Sequence, residues 1–122
     1  QDAARTGLTP HLSLIVAAAR AGSMAAIDGV RNDFSDLAAV EAEARAGRAL
    51  GFDGKTLIHP AQIAPARAGF APGPDELAQA KLVVAAFEAP ENAGKGAVNV
   101  GGRMAEAMHY RAAKAVIARA QG

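Results

Sequence analysis

The residues able to do chemistry in this chain fall in three places. The first is the acidic cluster Asp28, Asp33 and Asp36 in D-G-V-R-N-D-F-S-D. Carboxylates at a strand end can hold a metal or orient a substrate, since α/β enzymes keep their polar working groups there. Asp33 and Asp36 are equally the residue type that closes a turn and caps a helix. Asp28, set between Ile27 and Gly29 near a buried strand end, must find partners, either a substrate or other side chains. The second place is His59 in G-K-T-L-I-H-P-A-Q. Its imidazole is either a hydrogen-bonded structural group or a contact at the mouth of a barrel, and no second ligand at metal spacing accompanies it. The third is Glu106 with His109, a Glu-x-x-His expected on the last helix. Di-iron bundles use that spacing but need a second copy and further carboxylates. Glu106 therefore reads as a solvated helix charge or as an acid carried over a site by a moving lid.

Several function classes are excluded at this level. Thirteen basic and twelve acidic residues give a formal net charge of +1 with no basic run, so no nucleic-acid partner is expected. The absence of cysteine removes disulfides, zinc-thiolate sites and thiol nucleophiles, and makes a reducing cytoplasm the default location. The longest apolar stretch, Leu12 to Ala19, is less than half of the roughly 20 residues a membrane helix needs, so no membrane partner is expected. Neither a P-loop, nor G-x-G-x-x-G after a strand, nor a G-x-S-x-G elbow is present. The first ten residues carry no signal-peptide pattern and no initiator Met, so the chain reads as the interior of something longer.

The elements that must position these residues follow from apolar spacing and turn chemistry. Thr9 and Pro10 predict the start of a helix carrying Leu12, Ile15, Val16 and Ala19, which Gly22 ends. Ala25 to Val30 predicts a strand buried on both faces. Ser35 and Asp36 cap a second helix that Gly51 ends, and Lys55 to Ile58 predicts a second buried strand stopped by His59-Pro60. Pro65 to Pro74 reads as a loop, and Pro74 opens a helix with Leu77, Ala80, Val83, Val84 and Phe87 on one side. Glu91 to Gly102, with four glycines, reads as a mobile connection before a helix from Met104 to Ala120. Alternating helix and strand predicts an α/β protein with parallel pairing. Two parallel strands cannot close a sheet, because an eight-stranded barrel takes about 250 residues. The remaining strands are therefore expected from residues outside this sequence, and the segment alone is expected to be inactive.

Taken in order, A-x-I-D-G-V-x-x-D-F-x-D at 25 to 36, G-R-A-L-G-F-D-G-K-T-L-I-H-P-A-Q-I down to Ile63, and G-K-G-A-V-x-V-x-G-R-M near the end resemble the HpcH/HpaI aldolase and citrate lyase beta-subunit family. The resemblance implies the C-terminal part of a TIM (β/α)8 barrel, its last two strands with helices, over 1–89, plus a C-terminal helical lid extension over 90–122. It also implies a magnesium-dependent, cytoplasmic acyl-CoA lyase that breaks or forms a carbon–carbon bond beside a thioester, as in malyl-CoA, citramalyl-CoA or citryl substrates. The implied assembly is a homo-oligomer, trimer or hexamer, with the remainder of the barrel as partner. Ile58 and His59 match the pair that lines the acyl-CoA site, and Asp28 is the added substrate-binding candidate. Glu106 stands where many members have aspartate, in Gly102-Arg103-Met104-Ala105-Glu106, and is implied as the catalytic acid carried to a neighbouring subunit's site. The family's Mg2+ ligands match nothing in this sequence, so they are expected elsewhere. Two rivals stand beside this reading: a non-catalytic interaction or regulatory module derived from the same barrel, and a barrel lyase that uses a pyruvate enolate without CoA.

Overall fold

A computed structural model describes residues 5–121. The chain divides into two compact units, Gln1–Phe70 and Ala71–Gly122. The resemblance implies a boundary between 89 and 90.

The first unit runs α1 (Thr9–Ala21), β1 (Ile27–Asp28), α2 (Leu37–Leu50), β2 (Gly54–Lys55) and α3 (Ile63–Phe70), with short 3-10 turns at Thr6–Leu8 and Pro60–Gln62. The helix α1 carries Pro10 in its first turn, where a missing N–H is harmless, and closes where the Gly22 N–H donates to Ala18 O at 3.1 Å. Asp36 caps α2 by accepting from the Ala39 N–H at 3.0 Å, as expected of it, and Gly51 ends the helix at φ 102, a conformation that favours glycine. Val40, Ala44 and Gly47 recur at helical spacing and are buried.

The two strands pair in parallel, Ile27 with Gly54 and Asp28 with Lys55. Both are shorter than expected: residues 25, 26, 29 and 30 lie outside β1, and 56–58 lie outside β2. Burial on both faces does not hold either, because Ile27 is 53% exposed while Ala26 and Asp28 beside it are buried. The buried side packs on helices, with Ala26 joined to Val16, Ala19 and Phe52. Arg20 fastens α1 to the start of β2 through two bonds to Asp53, at 2.8 and 2.9 Å.

The Pro65-to-Pro74 loop is a correction, since Pro65 falls within α3. Proline is tolerated in the first turn of a helix, and His59 with Pro60 begins the turn that leads into it. Helices α2 and α3 pack closely at Gly69, where an added Cβ would stand 2.6 Å from both Ala44 Cβ and Glu41 O.

The second unit holds α4 (Pro74–Glu88), a 3-10 turn at Pro90–Asn92, an antiparallel hairpin of β3 (Ala97–Val100) and β4 (Arg103–Glu106), and α5 (Ala107–Gln121). Helix α4 begins as its proline and acidic first turn predict. The mobile connection and the helix start at Met104 are overturned. Gly101 and Gly102, at φ 57 and 84, form a two-residue turn, and Asn99 Oδ1 accepts from the Gly102 N–H at 2.8 Å. Val98, Val100 and Ala105 bury against Ala80 and Val83 of α4 and Ala113 of α5. The extension is thus a hairpin followed by a helix, not a helix alone.

Candidate active site

Asp28 is 2% exposed, and its burial is answered by protein groups. Arg5 Nη1 and Nη2 donate to its two oxygens, each at 2.7 Å, and the Gly29 N–H donates at 2.8 Å. Desolvation pushes the Asp28 carboxyl up, but the Arg5 hydrogen bonds, the Lys55 charge and the Gly29 N–H outweigh it and hold it below its ordinary value. The same bond raises Arg5. Lys55 Nζ lies 3.7 Å from Asp28 and 2.5 Å from Glu43, and it also donates to Gly29 O. Arg31 reaches Glu43 at 3.3 Å. Three cations and two carboxylates thus interlock across β1, β2 and α2.

Space for this cluster is made by Gly47, since a Cβ there would meet Asp28 Oδ2 at 2.8 Å. Arg5 itself adopts a left-handed backbone, φ 51 and ψ 44, which non-glycine residues enter rarely. A cleft of about 400 Å³ opens beside the cluster, with Arg5, Val30, Arg31, Asp33 and Glu43 among its walls. Asp33 is a turn residue: Oδ1 accepts from the Ser35 N–H at 3.0 Å and its hydroxyl at 2.6 Å, and the hydroxyl bond chiefly lowers its carboxyl. Asp28, Asp33 and Asp36 therefore do three separate jobs and do not converge.

His59 and Ile58 sit where β2 turns toward α3. His59 Nδ1 accepts from the Ala61 N–H at 3.1 Å, and its ring stacks on Phe34 with centroids 4.7 Å apart. Gln62, fully buried, accepts from the Ile58 N–H at 3.0 Å and the His59 N–H at 3.3 Å, while its Nε2 donates to Arg31 O at 2.8 Å. One side chain thus ties the loop after β2 to the loop after β1. Ile58 is 52% exposed and borders, with Leu57, His59, Pro60 and Ile63, a depression of about 290 Å³.

Glu106 ends β4 opposite Ala97 and immediately precedes α5, so its expected place within the helix is corrected. It is exposed. His109 does not pair with it as a metal ligand: the Glu106 N–H donates to His109 Nδ1 at 2.9 Å.

Gln62, Lys55 and Glu43 were not singled out by sequence reasoning. Gln62 and Lys55 lie inside the motif G-K-T-L-I-H-P-A-Q and so were within reach of it; Glu43 reads as an ordinary acidic helix position, and nothing local to Arg5 marks it.

Among the described residues no group of three His, Cys, Asp or Glu side chains could hold a metal ion. The two buried carboxylates, Asp28 and Glu43, are already neutralised by arginine and lysine. The donor set does not fit magnesium.

The sequence model of the family described as HpcH/HpaI aldolase/citrate lyase matches residues 3–60. A (3S)-malyl-CoA thioesterase of Cereibacter sphaeroides is 43% identical over 117 residues, covering 96% of this chain. The chain belongs to the HpcH/HpaI aldolase/citrate lyase family. A mitochondrial citramalyl-CoA lyase of Homo sapiens is 42% identical over 90 residues, 74% of this chain and 26% of that protein. The CitE protein of Mycobacterium tuberculosis, solved with magnesium, acetoacetate and coenzyme A, superposes with a TM-score of 0.72 at 33% identity, over 91% of this chain and 40% of that one. The chain spans about 41% of the length of the thioesterase. It corresponds to a carboxyl-terminal portion of such proteins, and its α/β fold is part of their TIM barrel together with the extension that follows.

Proposed function

We propose that this chain supplies part of the active site of a CoA-ester lyase, cleaving or forming a carbon–carbon bond in malyl-CoA, citramalyl-CoA or citryl-type substrates. The observation that carries the reading is the turn braced by Gln62, which presents Ile58 and His59 at the end of a parallel strand in a family whose relatives act on CoA thioesters. Ile58 offers an apolar wall to the acyl-CoA. His59 contributes a ring face fixed by Phe34, with Nδ1 engaged in the turn. Asp28 serves indirectly, by holding Arg5 and Lys55 in place beside the cleft. Cleavage of the hydroxyacyl thioester takes the hydroxyl proton, breaks the carbon–carbon bond and leaves an enolate that must be protonated on carbon. Glu106, exposed at the end of the hairpin, is in its protonated form the acid that delivers this proton to carbon in a neighbouring subunit's site. Magnesium, present in the Mycobacterium tuberculosis relative, must find its ligands beyond the described residues. The working assembly in this reading is a cytoplasmic homo-oligomer, trimer or hexamer, that includes the remainder of the barrel.

A second reading is favoured by the identity to the (3S)-malyl-CoA thioesterase across nearly the whole chain. Glu106 in place of aspartate would then direct water to the thioester carbonyl, releasing the acid and CoA. Product analysis with malyl-CoA, citramalyl-CoA and free hydroxy acids separates the two. Lyase chemistry on malyl-CoA yields acetyl-CoA and glyoxylate; hydrolysis yields malate and free CoA. Turnover of the free acids would point to the lyase that needs no CoA. If the assembled barrel binds neither magnesium nor a CoA ester, the non-catalytic module stands and both enzymatic readings fall.

A further inference from the structure

We infer that His109 is the positioning residue for Glu106, an inference that rests on Glu106 being the proton-transfer carboxylate. Glu106 occupies a junction: it is the last ladder residue of β4 and the residue from which α5 departs. Such a residue has a backbone N–H beyond the helix's own hydrogen bonds and needs a partner from a side chain or water. His109, three residues on, supplies it through Nδ1 at 2.9 Å. Glutamate or glutamine usually makes this backward contact at the start of a helix. An accepting Nδ1 requires a neutral ring with its proton on Nε2.

The contact fixes the backbone of Glu106 while leaving its carboxylate exposed. No described hydrogen bond or ion pair occupies that carboxylate among the described residues. Glutamate has one more rotatable bond than aspartate, so its carboxylate sweeps a larger volume, and a fixed backbone removes part of that freedom. The Glu-x-x-His spacing thus has a use other than metal: the histidine holds the frame and the glutamate reaches from it.

The test is a double-mutant cycle in the full-length enzyme, with malyl-CoA as substrate and kcat and KM read separately. Glu106→Gln examines the underlying assignment and should lower kcat by about 100-fold or more. His109→Ala should lower kcat about tenfold with KM little changed, because a displaced catalytic group slows chemistry rather than binding. His109→Gln, which keeps an acceptor, should recover most of the loss. In the Glu106→Gln background, His109→Ala should add nothing. If Glu106→Gln leaves turnover intact, the assignment of Glu106 fails and the inference falls with it. If Glu106→Gln is inactive but His109→Ala keeps wild-type kcat, the positioning role alone is refuted. Equal impairment of His109→Ala and His109→Gln refutes it as well, since the imidazole would then be needed for something other than accepting this bond.

Discussion

At Asp28 a buried carboxylate stands between Arg5 and Lys55, and removing its charge would leave Arg5 without its carboxylate partner and Lys55 with Glu43 alone. Asp28→Asn is therefore expected to destabilise the protein by about 3–5 kcal/mol, the usual consequence of breaking a buried pair from one side. Because the folded-state pKa lies below the ordinary 3.8, this stabilisation is fully present above that value and is lost as pH falls through the lower folded value. Urea unfolding at pH 7 and at steps below pH 4 checks both parts: the wild type should lose stability over that acid range more steeply than the variant. Asp33 is also held low but is present in both proteins, so it cancels in the comparison. A second residue-scale outcome concerns Gln62. Gln62→Leu keeps the volume but strips partners from the Ile58 and His59 N–H groups and from Arg31 O, and about 1–3 kcal/mol should be lost for each group left buried and unpaired. The need of Asp28 for partners was legible from its place between Ile27 and Gly29. That Arg5, 23 positions away, would meet it was not, because no local pattern encodes a long-range contact.

Among the elements, the sequence was most informative where a cap, a glycine stop and helical spacing agreed. Asp36 and Gly51 bound α2 as expected, and Pro74 opens α4. It misled where one residue type outweighed pattern. Pro65 suggested a loop although it falls in the first turn of α3, and the glycines of 94–102 suggested mobility although Val98 and Val100 alternate ahead of a Gly-Gly pair, which is a hairpin signal. Glu106 was placed in a helix for the same reason: the run after Met104 is helical in composition, yet its first residues pair with β3. Packing between elements yields its own prediction at Gly69. Alanine is the better helix former by about 1 kcal/mol, but its Cβ would strike Ala44 and the Glu41 carbonyl. Gly69→Ala should therefore destabilise, by roughly 1–3 kcal/mol from overpacking. Gly96→Ala, with nothing within 4 Å of the added carbon, should be nearly neutral. Thermal unfolding of the two variants side by side tests whether the α2–α3 contact, rather than glycine loss as such, sets the outcome.

For the molecule as a whole, the decisive feature is the uneven covering of β1 and β2. One side of this parallel pair carries Ala26 and Asp28 against helices, while Ile27 on the other is more than half exposed, and Ile58 and Ile63 nearby are exposed as well. Two strands are too few for an independent sheet, and parallel sheets are stable when both faces are covered. The (3S)-malyl-CoA thioesterase relative is more than twice as long, and this chain spans about 41% of it. Residues 1–122 expressed alone are accordingly expected to bind a hydrophobic dye such as ANS and to turn over no CoA ester. Adding the complementary barrel segment should quench the dye signal, raise the unfolding midpoint and restore turnover together, since one event covers Ile27 and completes the pocket. If the 122 residues alone are monomeric, bind no dye and turn over malyl-CoA at the rate of the assembled barrel, the apolar face needs no cover and the division of the active site proposed for this chain is wrong.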